Sequence, residues 1–575
     1  MQNFPSAPNL YLRNATTSVP VASVVGGGSV VNGMAYMRGS RADYDAWETL
    51  GNPGWGWEGL LPYFKKSSTF LPPSPDTAKE WNMTYDPAMW DHGPLHVTIS
   101  DFQYPDLQLF FEAWRNAGVE GVEKKRDIAA GNEPGVYWIP STVDRRDQTR
   151  STARKAYYDP VFAERKNLRL LTLHTTVEIL FDKKRGELVA KGVKIASRIT
   201  KETSEVYARE EVILAAGAVH TPHLLQVSGL GPKAVLEAAH IRVKKDIPGI
   251  GANLQDHATV TQNFNISHQA FPNPNTISTN ATYNASVWEE YWNHKTGPIA
   301  GGTPSLGVAL SLSQMISIIT PSITLHDIWA GLLAQTALYY LPPIYTASPP
   351  LFKGFLKQRD IIAASYINPN VTIAQFPFTG SGFAYSSFLK PVSRGTITLN
   401  STNPGGPPVV QYNTMQNSLD RRVLIVQVQF AREFWKRQQL AHFHPVEINP
   451  GAQYHTEAEI LESLTYATAS YRGPGNLQPG LAHLSGTAAM MPEELGGVVD
   501  TELKVYGVEG LRIVDASIMP MIVSGGLQAT VYAVAEKASD LIKGEGKRAK
   551  NRDRRNGEEF GERCVGQGNC WRCCP

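Results

Sequence analysis

Ser23 to Asp45 reads SVVGGGSVVNGMAYMRGSRADYD. Two valines run into three glycines and a serine. β-branched residues favour extended backbone. Glycines, having no Cβ, permit a tight turn and let the main chain approach a ligand closely. The stretch predicts a strand through Val24 and Val25 that enters a nucleotide-cradling loop. The loop stands near Met1.

Two other segments supply matching pieces. From Leu168 to Gly217 the runs LRLLTL, TVEILFD, LVAKGVKIA and EEVILAAG read as consecutive strands, with DKKRGE as a charged hairpin turn. The last run, Glu211 to Ala216, is almost continuously apolar, the pattern of a buried parallel strand. It ends at Gly217, and a helix is predicted to follow with Thr221 as N-cap and Pro222 at its first position. Near the other end, GLRIVDAS (Gly510 to Ser517) is a short strand stopped by Asp515. Beyond it Val531, Val534, Ala535, Ala538, Leu541 and Ile542 recur at helical spacing, and Gly544 suits the C-cap. That helix begins near Gln528 and points the positive end of its dipole at whatever occupies the site. Strand, glycine turn and helix together predict a doubly wound α/β unit, with a ligand phosphate at the β–α switch.

Bulk properties narrow the class. The 575 residues suit two intimately joined domains, and a formal charge of +2 with 18% charged residues argues against a nucleic-acid binder. All four cysteines, Cys564, Cys570, Cys573 and Cys574, fall in a charged, Gly-rich tail. Their spacing fits no standard zinc pattern, so no metal is expected and the tail is read as disordered. No apolar run is long enough and free enough of Pro and charge to span a membrane. The opening residues lack the apolar core of a signal peptide. Sequons nevertheless begin at Asn14, Asn82, Asn265, Asn280, Asn284, Asn370 and Asn400, where composition alone gives roughly four. They point to the secretory pathway.

Trp47 to Ser151 and Asn263 to Gln478 are rich in Pro, Tyr, Phe and Trp, with few regular runs. They predict a second domain that walls the pocket. The division is 1–46, 150–262 and 479–545 for a nucleotide domain, 47–149 and 263–478 for a substrate domain on an antiparallel sheet, and 546–575 for the tail.

Three motifs in order carry a resemblance. The glycine stretch resembles the first signature of the glucose–methanol–choline (GMC) oxidoreductases, departing at Ser23. GAVHTPHLLQVSGLG (Gly217 to Gly231) is similar to the second at every constrained position. HLSGTAAMMPEELGGVVDTELKVYGVEGLRIVDASIMP (His483 to Pro520) resembles the family's C-terminal block. The resemblance implies an FAD enzyme, of the type that serves aromatic or secondary-metabolite alcohols in fungi. Such an enzyme oxidises a small-molecule alcohol to a carbonyl by passing a hydride to flavin N5. By the same resemblance, Asn32, Gly33, Met34 and Ala35 line the flavin. Val177 contacts the adenine through its backbone, or is a plain core valine. Asp515 and Ala516 lie near the phosphates and ribityl chain, and Leu527 and Gln528 near the pyrimidine. The family also carries a GxGxxG βαβ unit upstream of the first signature. No GxGxxG occurs here, so that unit reads as missing and weak FAD binding is expected.

Of the family's two side chains above the flavin, one falls on His483, whose imidazole suits a base near neutral pH. The other, usually His or Asn, falls on Gly526, which can neither take a proton nor orient an alkoxide. His257, in NLQDH, reads as structural. Beside alcohol oxidation, the lost second base leaves open a non-redox cyclase or lyase on the same scaffold, or an inactive family member.

Overall fold

The computed structural model describes residues 1–115, 122–131, 133–302, 306–319, 324–466 and 476–545. The tail from 546, with the four cysteines, lies outside the described residues.

One half of the molecule is built on a seven-stranded antiparallel sheet. Its strands run in the order Val446–Asn449, Thr259–Asn265, Phe383–Phe388, Ala374–Phe378, Leu306–Leu310 and Gly135–Trp138, and Leu477–Gln478 also pairs with Thr259–Asn265. Successive side chains on a strand point to opposite faces, and this sheet uses both. Phe376 and Phe378 pack on Phe430 and Phe434 of the helix Ser418–Trp435, at centroid distances of 5.3 and 5.5 Å. Trp114 stacks on Phe434 at 4.1 Å. Their neighbours Gln375 and Pro377, with Thr259, Thr261, Tyr385 and Ser387, line a large cavity on the other face. One face is thus an aromatic core and the other a chamber wall.

The other half is a smaller set of strands. Val212–Leu214 pairs in parallel with Leu511–Ile513, Val212 opposite Leu511. A meander joins His174–Lys184, Glu187–Ser197 and Thr203–Tyr207, with Val508–Glu509 added in parallel. The DKKRGE turn forms as expected. Arg185 and Gly186 both have positive φ, 55° and 91°, the combination a tight hairpin needs. From 528 to 545 the chain is helical.

Several local expectations are corrected. Val24 and Val25 are not a strand; the strand is Ser18–Val21, paired with Gln2–Pro5. Gly26 and Gly27, at φ 101° and 56°, then turn Gly27–Val30 into a single 3-10 turn. LRLLTL forms no strand: Leu168, Leu170, Leu171 and Leu173 are exposed, and Leu170–Leu173 rim the cavity. Ile213 is 44% exposed between buried Val212 and Leu214, so that strand is covered on one face only.

The helix after the glycine turn starts earlier than predicted. It spans Gly217–Val227, with Pro222 inside it. Thr221 is no N-cap, because its Oγ1 donates to Asp515 Oδ2 at 2.6 Å. A proline within a helix leaves the carbonyl four residues back without its partner. Here that is Ala218 O, and Thr487 Oγ1 donates to it at 2.6 Å.

A buried ion pair links the two halves. Lys390 contacts Asp43, and both are almost fully enclosed. Burial lowers the Lys390 amine to about 7. Asp43 Oδ2 also accepts the backbone N–H groups of Ser40 and Ser524, at 2.8 and 2.7 Å. Ser524 is thereby fixed immediately before Gly525 and Gly526.

Candidate active site

The cavity has a volume of about 2250 Å³ and runs from the glycine turn, past Asp515 and Ala516, to His483 and the sheet wall. Asn32, Gly33, Met34, Ala35, Asp515, Ala516, Leu527, Gln528 and His483 all line it. Val177 does not, nor is it a core valine. It is 38% exposed and sits where the register between the strands at 174–184 and 187–197 slips, between Thr176 and Glu178. Its backbone stands in a bulge rather than in the ladder.

The loop at 32–35 is held by a network that the sequence did not reveal. Gln528 Nε2 donates to Met34 O at 3.0 Å and Ala35 O at 2.7 Å, and its Oε1 accepts from Asn32 Nδ2 at 3.0 Å. Arg150 Nη1 donates to both the carbonyl and Oδ1 of Asn32, each at 2.7 Å. Met34, at φ 65°, is kept in the left-handed region by this clamp. The amide of Gln528 is therefore committed to protein. What it offers the cavity is its place at the N-terminus of the helix from 528, whose dipole favours electron-rich groups there. The carboxylate of Asp515 is committed too. It accepts from Gly217 N at 2.9 Å, Thr221 Oγ1 and Ser517 N at 2.8 Å, tying the Leu511–Ile513 strand to the helix at 217–227.

A Cβ built on Gly27, Gly28, Gly33 or Gly217 meets nothing within 4 Å. In a packed core such a carbon would strike neighbours. Here glycine backbone faces open cavity, which is what a planar cofactor with a phosphate tail needs. The residues present fit FAD at the flavin end, along Gly27–Ala35, and along Ala215–Ala218 and Asp515–Ala516.

At the far end His483 lies beside His257, Nδ1 to Nδ1 at 3.0 Å, the rings 85° apart. Asp256 organises both. Its Oδ1 accepts the backbone N–H of His257, Leu481 and His483, at 2.7, 2.9 and 3.0 Å. Burial pushes the Asp256 carboxyl up to about 7, against those three donors. Burial lowers His483 to about 4. It also puts His257 well below the usual imidazole range, and the neighbouring His483 lowers it further. The pair is neutral at pH 7. His257, read from sequence as structural, is a member of the cavity wall.

Gly526 does fall opposite His483. A Cβ built there stands 4.0 Å from His483 Nε2, 3.9 Å from Met37 Cε and 3.6 Å from Ala35 O, all ordinary contacts. The positive φ of this turn belongs to Gly525, at 125°. No group of three or more His, Cys, Asp or Glu able to hold a metal occurs among the described residues.

Comparison with known proteins agrees with this geometry. The GMC oxidoreductase models match residues 10–259 and 391–535. The chain belongs to the GMC oxidoreductase family. Dehydrogenase xptC of Emericella nidulans is 34% identical over 543 residues, 94% of this chain and 83% of that protein. Among solved structures, an FAD-dependent oxidoreductase from Chaetomium thermophilum superposes with a TM-score of 0.88 at 37% identity, covering 95% of this chain and 90% of that one. A fungal aryl-alcohol oxidase gives 0.88 at 32%, with the same coverages. This GMC oxidoreductase shares the mixed helix and sheet architecture of these flavoenzymes, antiparallel sheet included. Among its described residues no helix is long and apolar enough to cross a membrane.

Proposed function

We propose that this GMC oxidoreductase binds FAD and oxidises a bulky, largely apolar small-molecule alcohol to a carbonyl, in secondary metabolism. The observation that carries the reading is a half-buried, neutral imidazole, His483, at the end of a glycine-backed cavity large enough for cofactor and substrate together. Bound FAD supplies the hydride acceptor. The chain's own part is to place the alcohol and to manage its proton. A neutral His483 has one ring nitrogen free to accept the hydroxyl proton. Phe102, Tyr104, Leu107, Ile139, Phe383 and Tyr385 form an apolar and aromatic chamber wall, which suits a ring-bearing substrate.

Anaerobic mixing of the flavin-loaded protein with a panel of aromatic and aliphatic alcohols tests the reading. Bleaching of the oxidised flavin by aromatic members supports it. A flavin that no alcohol reduces, with product formed all the same, favours instead the non-redox cyclase or lyase that Gly526 suggests. The sequon residues Asn14, Asn82, Asn265, Asn280 and Asn370 are exposed, which supports passage through the secretory pathway. A mobility shift on endoglycosidase treatment of the native protein checks it.

A further inference from the structure

The contact between His257 and His483 sets which nitrogen of His483 carries its proton. The two Nδ1 atoms are 3.0 Å apart, so one donates and the other accepts. Both rings are neutral, and a neutral imidazole has one N–H and one lone pair. Two arrangements satisfy the contact. In one, His257 donates from Nδ1 and turns a bare Nε2 inward. In the other, His257 accepts at Nδ1 and carries its proton on Nε2.

The placement of His483 distinguishes them. Its Nε2 faces Gly526 and the cavity, 4.0 Å from a Cβ built at 526. A base acting there carries its lone pair on that atom. The one proton of the ring is then on Nδ1, and His483 donates it to His257 Nδ1, a lone pair, at 3.0 Å. The proton of His257 then sits on its own Nε2. Asp256 makes the arrangement rigid by holding the main chain of both residues on a single oxygen.

We propose that His257 is the positioning residue of the site, accepting the Nδ1 proton of His483 and so holding the Nε2 lone pair toward the substrate. The proposal rests on His483 as the base, and its test separates the two ideas. The full-length protein is labelled with ¹⁵N-histidine, and the His483 signals are assigned by their loss in His483→Gln. Wild type should show a pyrrole-like Nδ1 and a pyridine-like Nε2 at pH 7. Finding the opposite tautomer overturns the proposal without any measurement of turnover.

Two variants carry the argument into the reaction. His257→Leu removes the acceptor and should slow flavin reduction by up to about 10²-fold, the lower end of what a general base contributes. His257→Asn puts an amide oxygen near the place of Nδ1 and should recover most of that loss, together with the wild-type ¹⁵N pattern. If Asn behaves like Leu, or Leu leaves the His483 tautomer unchanged, His257 is packing only. If His483→Ala leaves flavin reduction unchanged while the tautomer stands as stated, it is the base assignment that fails.

Discussion

Replacing Gly526 with histidine puts an imidazole at the place where the GMC resemblance implies His or Asn. The structure sets both the steric and the chemical scale. A Cβ at 526 has no neighbour closer than 3.6 Å, and the backbone there is not left-handed. The turn's positive φ, 125°, sits one residue earlier at Gly525. Gly526→Ala should therefore stabilise the protein by about 0.4–1 kcal/mol, since it restricts the unfolded chain without straining the folded one. Gly525→Ala should cost about 1–3 kcal/mol. Chemical denaturation of the three proteins measures both. In Gly526→His, the ring grows from a carbon 4.0 Å from His483 Nε2 into the open cavity. A second group able to take a proton or orient the oxygen contributes about 10²-fold or more. Stopped-flow flavin reduction by the alcohol panel, with and without the substitution, reads that gain. A folded, flavin-bearing Gly526→His that is faster on no alcohol would refute the lost-base reasoning. Loss of a native, non-redox product in the same variant would show that the glycine had been making room.

Other expectations follow from single contacts. His483→Ala should slow flavin reduction by about 10²-fold or more; an unchanged rate across the pH range would mean another group takes the proton. The same variant has a signature in stability. His483 is near 6.5 unfolded and about 4 folded, so between these values the unfolded chain binds the extra proton and acid destabilises wild type. On going from pH 7 to pH 4, wild type should lose about 3 kcal/mol relative to His483→Ala. Equal pH profiles would show that the imidazole is not depressed. Thr487→Val leaves the Ala218 carbonyl without the donor that replaces the Pro222 N–H, at a cost of about 1–3 kcal/mol by urea titration. A neutral result would imply that water reaches that carbonyl. Lys390→Met strands the buried Asp43 carboxylate and should cost about 3–5 kcal/mol; adding Asp43→Asn should recover much of it.

The sequence by itself determined the chemistry-bearing segments and their order. Glycines that leave backbone bare, a strand ending in a glycine turn, and an imidazole in a distinctive block are local signals. Gly27, Gly28, His483 and the helix from 528 need no distant partner to be read. The strands Val212–Leu214 and Leu511–Ile513 were legible for the same reason, from short apolar runs stopped by Gly217 and Asp515, but their pairing was not. What only the tertiary structure decided were the relations that depend on who sits opposite. Leu168–Leu173 is as apolar as a strand, yet apolarity does not specify a pairing partner, and the run rims the cavity instead. Thr221 and Pro222 carry the local pattern of a helix start. The real start moved to Gly217 because Asp515 and Thr487, far away in the chain, supply the hydrogen bonds that let the helix run through the proline. His257 lies 226 positions from His483, and no periodicity spans that distance. The two meet because Asp256 gathers the N–H groups of both segments on one oxygen. Which nitrogen of a histidine carries the proton is set by its neighbours in space, and a sequence does not record them.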